Sequence, residues 1–534
     1  MDFIALGELI GDIGQRPLET VETAPRHSVH WRDVQVLSVT DDSRRVEPGE
    51  GALFVAVRGE QADGHGFIAE ALARGACAVI CEQRAAPVGA PSPLPERPVI
   101  RVQDTRRALS TLAAVFNGRP ADELCMVGVT GTDGKTTTTE LCRAVLSEAG
   151  HQVGSLGTVK YNFAAHALDS PQTTPHPLAL HAMLREMARE GLTHVCMEVS
   201  SHALAQQRTA DVPFDVAALT NVTEDHLDYH GTPEAYVRAK QRLFEGLDKS
   251  ATAVLNAASP VCERYEAACP GRVLTYGLQA ARGPLAQGRL HRQHSALSAD
   301  VAGRKRSENM RGMDILVETP AGAYELHTPL TGDYNAENLL AAATAAFALG
   351  IDAETVRRAA RGFKGVAGRL ELIEAPPGLG LPGIFVDYAH TPNALRCVLE
   401  SLRRLTPGRL ICVFGCGGDR EKQKRPLMGA ASAELADLTV LTSDNSRSEA
   451  TEQIIAEIVE GMPRGRADYI AEPDRRRAIE KAIDLADSPR DVVAICGRGC
   501  ERVQDLGERR LPFDDRVVTR EIVRGLSANQ RRSA

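Results

Sequence analysis

Val127-Gly128-Val129-Thr130-Gly131-Thr132-Asp133-Gly134-Lys135-Thr136-Thr137 runs from an apolar strand through two glycines into a lysine, threonines and a helix. Glycines let backbone N–H groups close around phosphate oxygens. Lys135 brings positive charge to the β and γ phosphates, the Thr136 hydroxyl can hold Mg²⁺, and the helix N-terminus adds its dipole. This is the chemistry of a protein that uses ATP. The strict GxxxxGK[ST] pattern is not met, because Val129 stands six residues before Lys135. The reading rests instead on context. In the following TTTTELCRAVLSEAG, Leu141, Val145 and Leu146 share one helical stripe and Gly150 sits where a C-cap belongs.

A second group of residues falls at the ends of two further expected strands. THVCMEV is followed by Glu198, Ser200, Ser201 and His202; DVAALTN is followed by Glu224, Asp225, His226, Asp228 and His230, with Lys240 further on. Carboxylates beside a phosphate loop suit a hard cation such as ATP-bound Mg²⁺, which takes oxygen ligands and tolerates an imidazole. His226 and His230 also have a spacing used by zinc sites, but neither HExxH nor a cysteine partner accompanies them. By its surroundings in sequence, Lys240 reads as a solvated helix lysine.

These residues require a strand–helix scaffold, and the chain supplies three. The first hundred or so residues hold short strands and turns, with a helix expected over FIAEALARGACAVIC. From about Leu124, alternation through THVCMEV, DVAALTN and ATAVLNA predicts a mainly parallel sheet with crossover helices. The stretch 280–312, with Arg282, Arg289, Arg292, Arg304, Lys305, Arg306 and Arg311, lacks apolar periodicity and reads as a solvated loop. A third alternation, IFVDYAH, RLICVFGCGGDR, DLTVLTSDN, ADYIAE and DVVAICGRG, reads as Rossmann-like. Its loops GCGGDR, SDNSR and GRGCE lie at the carboxyl edge, where ligands bind. The expected class is therefore α/β in three domains, 1–120, 121–332 and 333–534. The tail SANQRRSA is expected to be disordered.

With 534 residues, 43% of them hydrophobic, several cores can be buried, and the net charge of -8 with only 4% aromatics argues against a polyanion or nucleic-acid binder. Twelve scattered cysteines without a CxxC pair indicate reduced thiols packed in cores. No stretch reaches membrane-span length and the N-terminus lacks a basic leader, so a cytoplasmic, monomeric protein is expected.

GTDGKTTT, MEVSSHAL, TNVTEDHLDYHGTPEAYVRAKQRLF, LTGDYNAENLLAA, VAGRLE, VDYAHTPNAL, VFGCGGDREKQKRPLMG, TSDNSRSE and FDDR together resemble the Mur ligase family, and the likeness extends to the N-terminal DDSRRVEPGEGALFVAVRG and GEQADGH. In order and spacing the motifs are similar to the branch that adds the third residue to UDP-N-acetylmuramoyl-L-Ala-D-Glu. The resemblance implies an N-terminal uridine-nucleotide domain, a central ATPase domain and a C-terminal domain that brings the incoming amino acid. It also implies ATP and Mg²⁺ as cofactors, with a carboxylate activated by phosphorylation and captured by an amine. Gly131, Thr132, Gly134, Lys135, Thr136 and Thr137 would hold phosphates. Thr136, Glu198, His226 and a carbamylated Lys240 would serve magnesium, and Asn335 and Asn338 the adenine side. Arg369 and Asp387 would reach ATP on domain closure. Ser43, Arg44, Gln61 and Ala62 match the uridine-nucleotide region; Thr173, Thr174, Ser200 and Arg208 match the muramoyl-dipeptide region. Arg425, Asp444, Asn445, Arg447, Gly497 and Glu501 match the amino-acid pocket, and an arginine at 447 suits the distal carboxylate of meso-diaminopimelate.

The chain departs from the family's motifs at several places. Ser446 replaces the proline of DNPR, Arg498 and Cys500 alter GKGHE, Ala367 alters VPGR, Ala257-Ala258 replace an acidic pair, and Asp133 replaces an asparagine. None removes a group that handles the γ-phosphate or metal, while several bear on the third substrate. A paralogue joining a different amine or acceptor by the same chemistry is therefore the alternative. A folylpolyglutamate-type ligase would lack the uridine-like N-terminal region. A nucleotide-dependent regulator would have no use for Glu198, His226, Lys240 and Arg369.

Overall fold

The computed structural model describes residues 4–15, 22–23, 31–60, 62–82, 97–279, 299–376, 380–463 and 468–533. An eleven-stranded sheet carries the phosphate loop. Its strand Cys125–Thr130 lies between His194–Glu198 and Val216–Leu219, parallel to both, with Glu198 opposite Val129 and Leu219 opposite Thr130. Three carboxyl ends therefore meet at one place on the edge. Side chains on these strands alternate between two cores, as the pleat requires. Val127 and Val129 pack with Leu141, Val145 and Leu146 of helix Lys135–Glu148, whereas Met126 packs with Leu180, Leu184 and Leu219. Helix Lys135–Glu148 stops at the Ala149 cap, and Gly150 follows at φ +90°.

The sheet continues in parallel through Thr252–Asn256, Arg272–Leu278 and Val301–Asn309, then turns antiparallel through Gly312–Thr319 and Gly322–Thr328. This corrects the loop expected over 280–312. Residues 280–298 lie outside the described residues, but Arg304, Lys305 and Arg306 belong to a strand whose ladder with Gly312–Thr319 needs no apolar periodicity at its solvent-facing end.

Helix Asp333–Ala348, apolar from Leu339 onward except for Thr344, buries residues on all sides against helix Lys135–Glu148 and strand Arg272–Leu278. The C-terminal sheet runs Glu371–Leu372, Gly383–Val386, Val492–Ile495, Leu410–Phe414, Leu438–Leu441, Tyr469–Ala471, parallel except at its first strand. The five-stranded N-terminal sheet contains Ser38–Thr40, Ala52–Val55, Ala78–Glu82 and Val99–Val102 in parallel. The helix expected over FIAEALARGACAVIC covers only Ile68–Ala73. Gly75, at φ +103°, ends it, and the apolar run Ala78–Glu82 is a buried parallel strand. The last helix, Asp515–Ser533, extends through most of the tail expected to be disordered.

Candidate active site

The phosphate loop is shaped by its neighbours as much as by its own glycines. A Cβ at Gly131 (φ +153°) would stand 1.8 Å from Thr220 Oγ1, and one at Gly134 (φ +83°) 2.3 Å from Asn338 Oδ1. Glycine is thus required at both positions by space and by backbone conformation. Thr132 N donates to Asn221 O (2.9 Å), Asp133 N to Asn221 Oδ1 (2.9 Å), and Thr220 Oγ1 to Asp133 O (2.6 Å), so the end of strand Val216–Leu219 braces the loop. Lys135 Nζ donates to Gly131 O and Thr132 O at 3.0 and 2.8 Å. Thr136 and Thr137 are buried in the first helical turn. Asn338 receives Thr138 Oγ1 at 3.2 Å and donates to Asn335 Oδ1 at 3.3 Å, and Asn335 donates to Thr331 O at 2.8 Å, which links the first turns of two helices beside Gly134.

Lys240 is not solvated. On helix Pro233–Glu245 it is 1% exposed, and its Nζ donates to the same Gly131 carbonyl at 2.7 Å and lies 4.5 Å from the centre of the Tyr236 ring. Burial first, and the Lys135 ammonium second, push its pKa well below the ordinary lysine range. Tyr236 is fixed in turn by its hydroxyl against Thr132 Oγ1 at 3.0 Å.

Glu198 is buried at its strand end, where Oε1 accepts from Thr158 N at 2.7 Å and Oε2 from Thr158 Oγ1 at 3.1 Å. Thr158 Oγ1 also meets Thr173 Oγ1 at 3.1 Å. Thr174 Oγ1 donates to Glu198 O at 2.8 Å and accepts from Ser200 N at 3.0 Å; Arg208 Nη1 donates to Thr174 O at 2.9 Å and to Gln172 Oε1 at 2.6 Å. A single network therefore joins Glu198 to Thr173, Thr174, Ser200 and Arg208. His226 caps a short helix at φ +54°, its ring 3.4 Å from Asp225 Oδ2 and edge-on to His202 at 4.7 Å, and burial lowers its pKa. The Glu198 carboxylate and the Thr136 hydroxyl are oxygen donors of the kind Mg²⁺ takes, whereas Lys240 as an amine is not a ligand for it.

In the C-terminal sheet, Asp387 Oδ2 accepts from Leu370 N (2.6 Å) and Oδ1 from Ala389 N (2.7 Å), and burial raises its pKa. Arg369 lies 4.5 Å over the Tyr388 ring. The carboxyl ends of Leu438–Leu441 and Val492–Ile495 bring Asp444, Asn445, Gly497, Arg498 and Glu501 into one corner. There Asn445 Nδ2 donates to Glu501 Oε2 at 2.8 Å, and a Cβ on Gly497 would meet Asp444 Oδ2 at 2.9 Å. Burial and Asp444 raise the Glu501 pKa against the opposing pull of Arg498. Arg447, at φ +49°, donates from Nη1 to Gly418 O at 2.5 Å and lines a cleft of about 720 Å³ with Glu449, Asp505 and Glu508.

Residues 129–346 match the family model of the Mur ligase middle domain, 368–499 that of the Mur ligase, glutamate ligase domain, and 36–117 that of the Mur ligase family, catalytic domain. The chain belongs to the Mur ligase family. It is 40% identical over 529 residues to the UDP-N-acetylmuramoyl-L-alanyl-D-glutamate--2,6-diaminopimelate ligase of Solibacter usitatus (strain Ellin6076), covering 98% of this chain and 99% of that protein. Identity to the ligase of the same name from Gloeobacter violaceus (strain ATCC 29082 / PCC 7421) is 40% over 489 residues, 92% of this chain and 94% of the relative. A solved structure of a ligase of that name superposes with TM-score 0.66 at 30% identity, covering 98% of this chain and 100% of the other.

Not every residue expected in the pocket of this Mur ligase has a free face. Arg425 is fully buried: Nη1 reaches Glu449 Oε2 (2.9 Å) and Glu457 Oε2 (2.6 Å), and Nη2 reaches Glu449 Oε1 (2.9 Å) and Gly417 O (3.0 Å). It braces the loop that carries the pocket. In the N-terminal sheet, Ser43 Oγ donates to Glu70 Oε2 at 3.2 Å, while Arg44 pairs with Asp42 at 2.8 Å with its side chain 79% exposed; Ala62 is exposed, and Gln61 lies outside the described residues. His176 Nε2, 3.1 Å from Asp41 Oδ2, ties that loop to the start of helix Pro177–Arg189. Sequence reading missed Thr158, which holds both Glu198 oxygens. Its place just past the end of parallel strand Val153–Leu156 was the available signal. Thr220 and Asn221 were likewise missed, although they are the last two residues of DVAALTN.

Proposed function

We propose that this Mur ligase joins meso-diaminopimelate to UDP-MurNAc-L-Ala-D-Glu at the expense of ATP in peptidoglycan precursor synthesis. The observation that carries the reading is the network from Glu198 through Thr158 and Thr174 to Thr173, Ser200 and Arg208, beside the phosphate loop. It would place the acceptor's terminal carboxylate and the γ-phosphate of ATP at one sheet edge. A carboxylate oxygen is a poor leaving group. Transfer of the γ-phosphoryl group to it makes an acyl phosphate, and attack by the amine on the carbonyl carbon then expels phosphate. Bound Mg²⁺, held by Thr136, Glu198 and His226, would supply charge neutralisation for the phosphoryl oxygens. Lys135 provides a second positive charge to the same oxygens.

The environment of Lys240 supports its carbamylation. Burial and the neighbouring Lys135 disfavour the charged form of Nζ and so favour the neutral amine, whose lone pair can attack CO₂. Attack forms the N–C bond and releases a proton from the nitrogen, and the resulting carbamate anion is attracted to Lys135. On the amine side, Arg447 sits among the carboxylates of Glu449, Asp505 and Glu508, a pairing suited to a distal carboxylate and ammonium on one carbon. Ser446, Arg498 and Cys500 favour the second reading, the same chemistry with another amine.

Phosphate release from ATP with UDP-MurNAc-L-Ala-D-Glu is to be compared with meso-diaminopimelate, L-lysine and no amine, with the product mass checked. Release and a tripeptide product only with diaminopimelate are expected. No turnover with any amine in folded, ATP-binding protein would overturn the assignment in favour of a different amine or acceptor.

A further inference from the structure

The three largest fully buried side chains among the described residues are arginines, Arg425, Arg475 and Arg498. Two of them are paired with close carboxylates. Arg425 has Glu449 and Glu457, and Arg475 grips Asp515 through Nε (2.7 Å) and Nη2 (2.6 Å). Arg498 differs, because its hydrogen bonds go to neutral oxygens: Nη1 to Asn445 Oδ1 at 2.8 Å, and Nη2 to Val503 O at 2.9 Å and Phe513 O at 3.4 Å. Its nearest carboxylate, Glu501 Oε2, stands at 3.4 Å. Burying a guanidinium is costly unless it is paired, and Glu501 is the carboxylate that offsets this charge.

Asn445 is the intermediary. Its Oδ1 accepts two donors, Arg498 Nη1 and Asp505 N, both at 2.8 Å. An amide nitrogen could not accept either, so the orientation of the amide is fixed and Nδ2 must face Glu501 Oε2 at 2.8 Å. With Oε2 engaged by Asn445 and lying near Arg498, Oε1 is the oxygen left for a substrate cation. We propose that Arg498 is a positioning residue for the amine half of the reaction, orienting the Glu501 carboxylate through Asn445 to receive an ammonium of the incoming amino acid. The inference rests on reading this corner as the amino-acid pocket. It is independent of which amine is used. Burial and Asp444 work against ionised Glu501, and Arg498, Asn445 and Arg475 work for it, so the same clamp also favours the anion.

The test uses the full chain, with Arg498→Lys, Asn445→Ala and the double variant. Lysine keeps the buried positive charge but loses the planar fork that reaches Asn445, Val503 and Phe513 together. With meso-diaminopimelate and L-lysine as amines, Arg498→Lys is expected to raise the amine KM about tenfold, equivalent to about 1.4 kcal/mol, and to leave KM for ATP and for the UDP-dipeptide within twofold. In the Asn445→Ala background the same change should add less than twofold, because the relay is already gone. An unchanged amine KM, a parallel rise in all three KM values, or full multiplication of the two effects would overturn the proposal. A crystal structure of Arg498→Lys gives a readout that does not need turnover. With Asp505 N still holding Oδ1, the Asn445 side chain should loosen rather than flip and its Nδ2 contact with Glu501 Oε2 should lengthen out of hydrogen-bond range, and a contact kept at 2.8 Å would sink the relay even if neither amine proves to be the substrate. If the lysine variant fails to fold, Arg498→Gln, which keeps a donor amide without the charge, replaces it under the same criteria.

Discussion

Glu337 offers the most direct check of how half-buried charge is handled around the nucleotide site. It lies on helix Asp333–Ala348, four residues after Asp333, and its pKa is raised from 4.5 to about 7, mainly by burial, then by the Asp333 carboxylate, against a lowering hydrogen bond from Asn256. Asp333 is itself paired with Lys305 and with Arg404 (2.6 Å), so burial is the dominant cause. The sign follows from linkage. Between the unfolded and folded pKa values the folded protein holds the extra proton, so the stability that Glu337 contributes is complete below pH 4.5 and is lost as pH rises through about 7. At about 1.4 kcal/mol per unit, the loss is at most about 3.5 kcal/mol by pH 8. Glu337→Gln keeps the size and a hydrogen-bonding head group but cannot ionise. Urea unfolding of wild type and variant at pH 4.5 and pH 8, followed by far-UV circular dichroism, should give nearly equal stabilities at the lower pH. At the higher pH the variant should gain roughly 2–3 kcal/mol. A difference between the two proteins that is the same at both pH values would refute the argument.

Two further outcomes are expected. Arg475→Met leaves Asp515 as a buried unpaired carboxylate and strips hydrogen bonds from Ser443 O and Cys496 O. Thermal and urea unfolding should show a loss of about 3–5 kcal/mol, most of it recovered when Asp515→Leu is added; a loss below about 1 kcal/mol in the single variant would contradict the buried-pair account. Lys240→Ala should abolish amide formation and regain part of it with added short carboxylic acids in a phosphate-release assay, and full activity without additive would remove the carbamate role.

The sequence was sufficient wherever chemistry and structure are local. The phosphate loop needs only an apolar strand, glycines and a helix start in succession. The ends of His194–Glu198 and Val216–Leu219 could be placed beside it because parallel α/β strands present their carboxyl ends on one edge. The motifs also carried the family. Misreadings arose where local pattern is ambiguous: an apolar run such as Ala78–Glu82 suits helix or buried strand, and the charged half of Val301–Asn309 is held by its partner strand rather than by its own periodicity. Other properties belong to the tertiary structure alone. Burial and the approach of Lys135 turn Lys240 from an apparent surface cation into a depressed amine. Glu449 and Glu457, which lie 24 and 32 residues from Arg425, engage that arginine as a brace, and Asn445, 53 residues from Arg498, aligns it with Glu501. Desolvation and hydrogen-bond partnership depend on which distant segments the fold brings within a few ångströms, and no window of sequence contains that information.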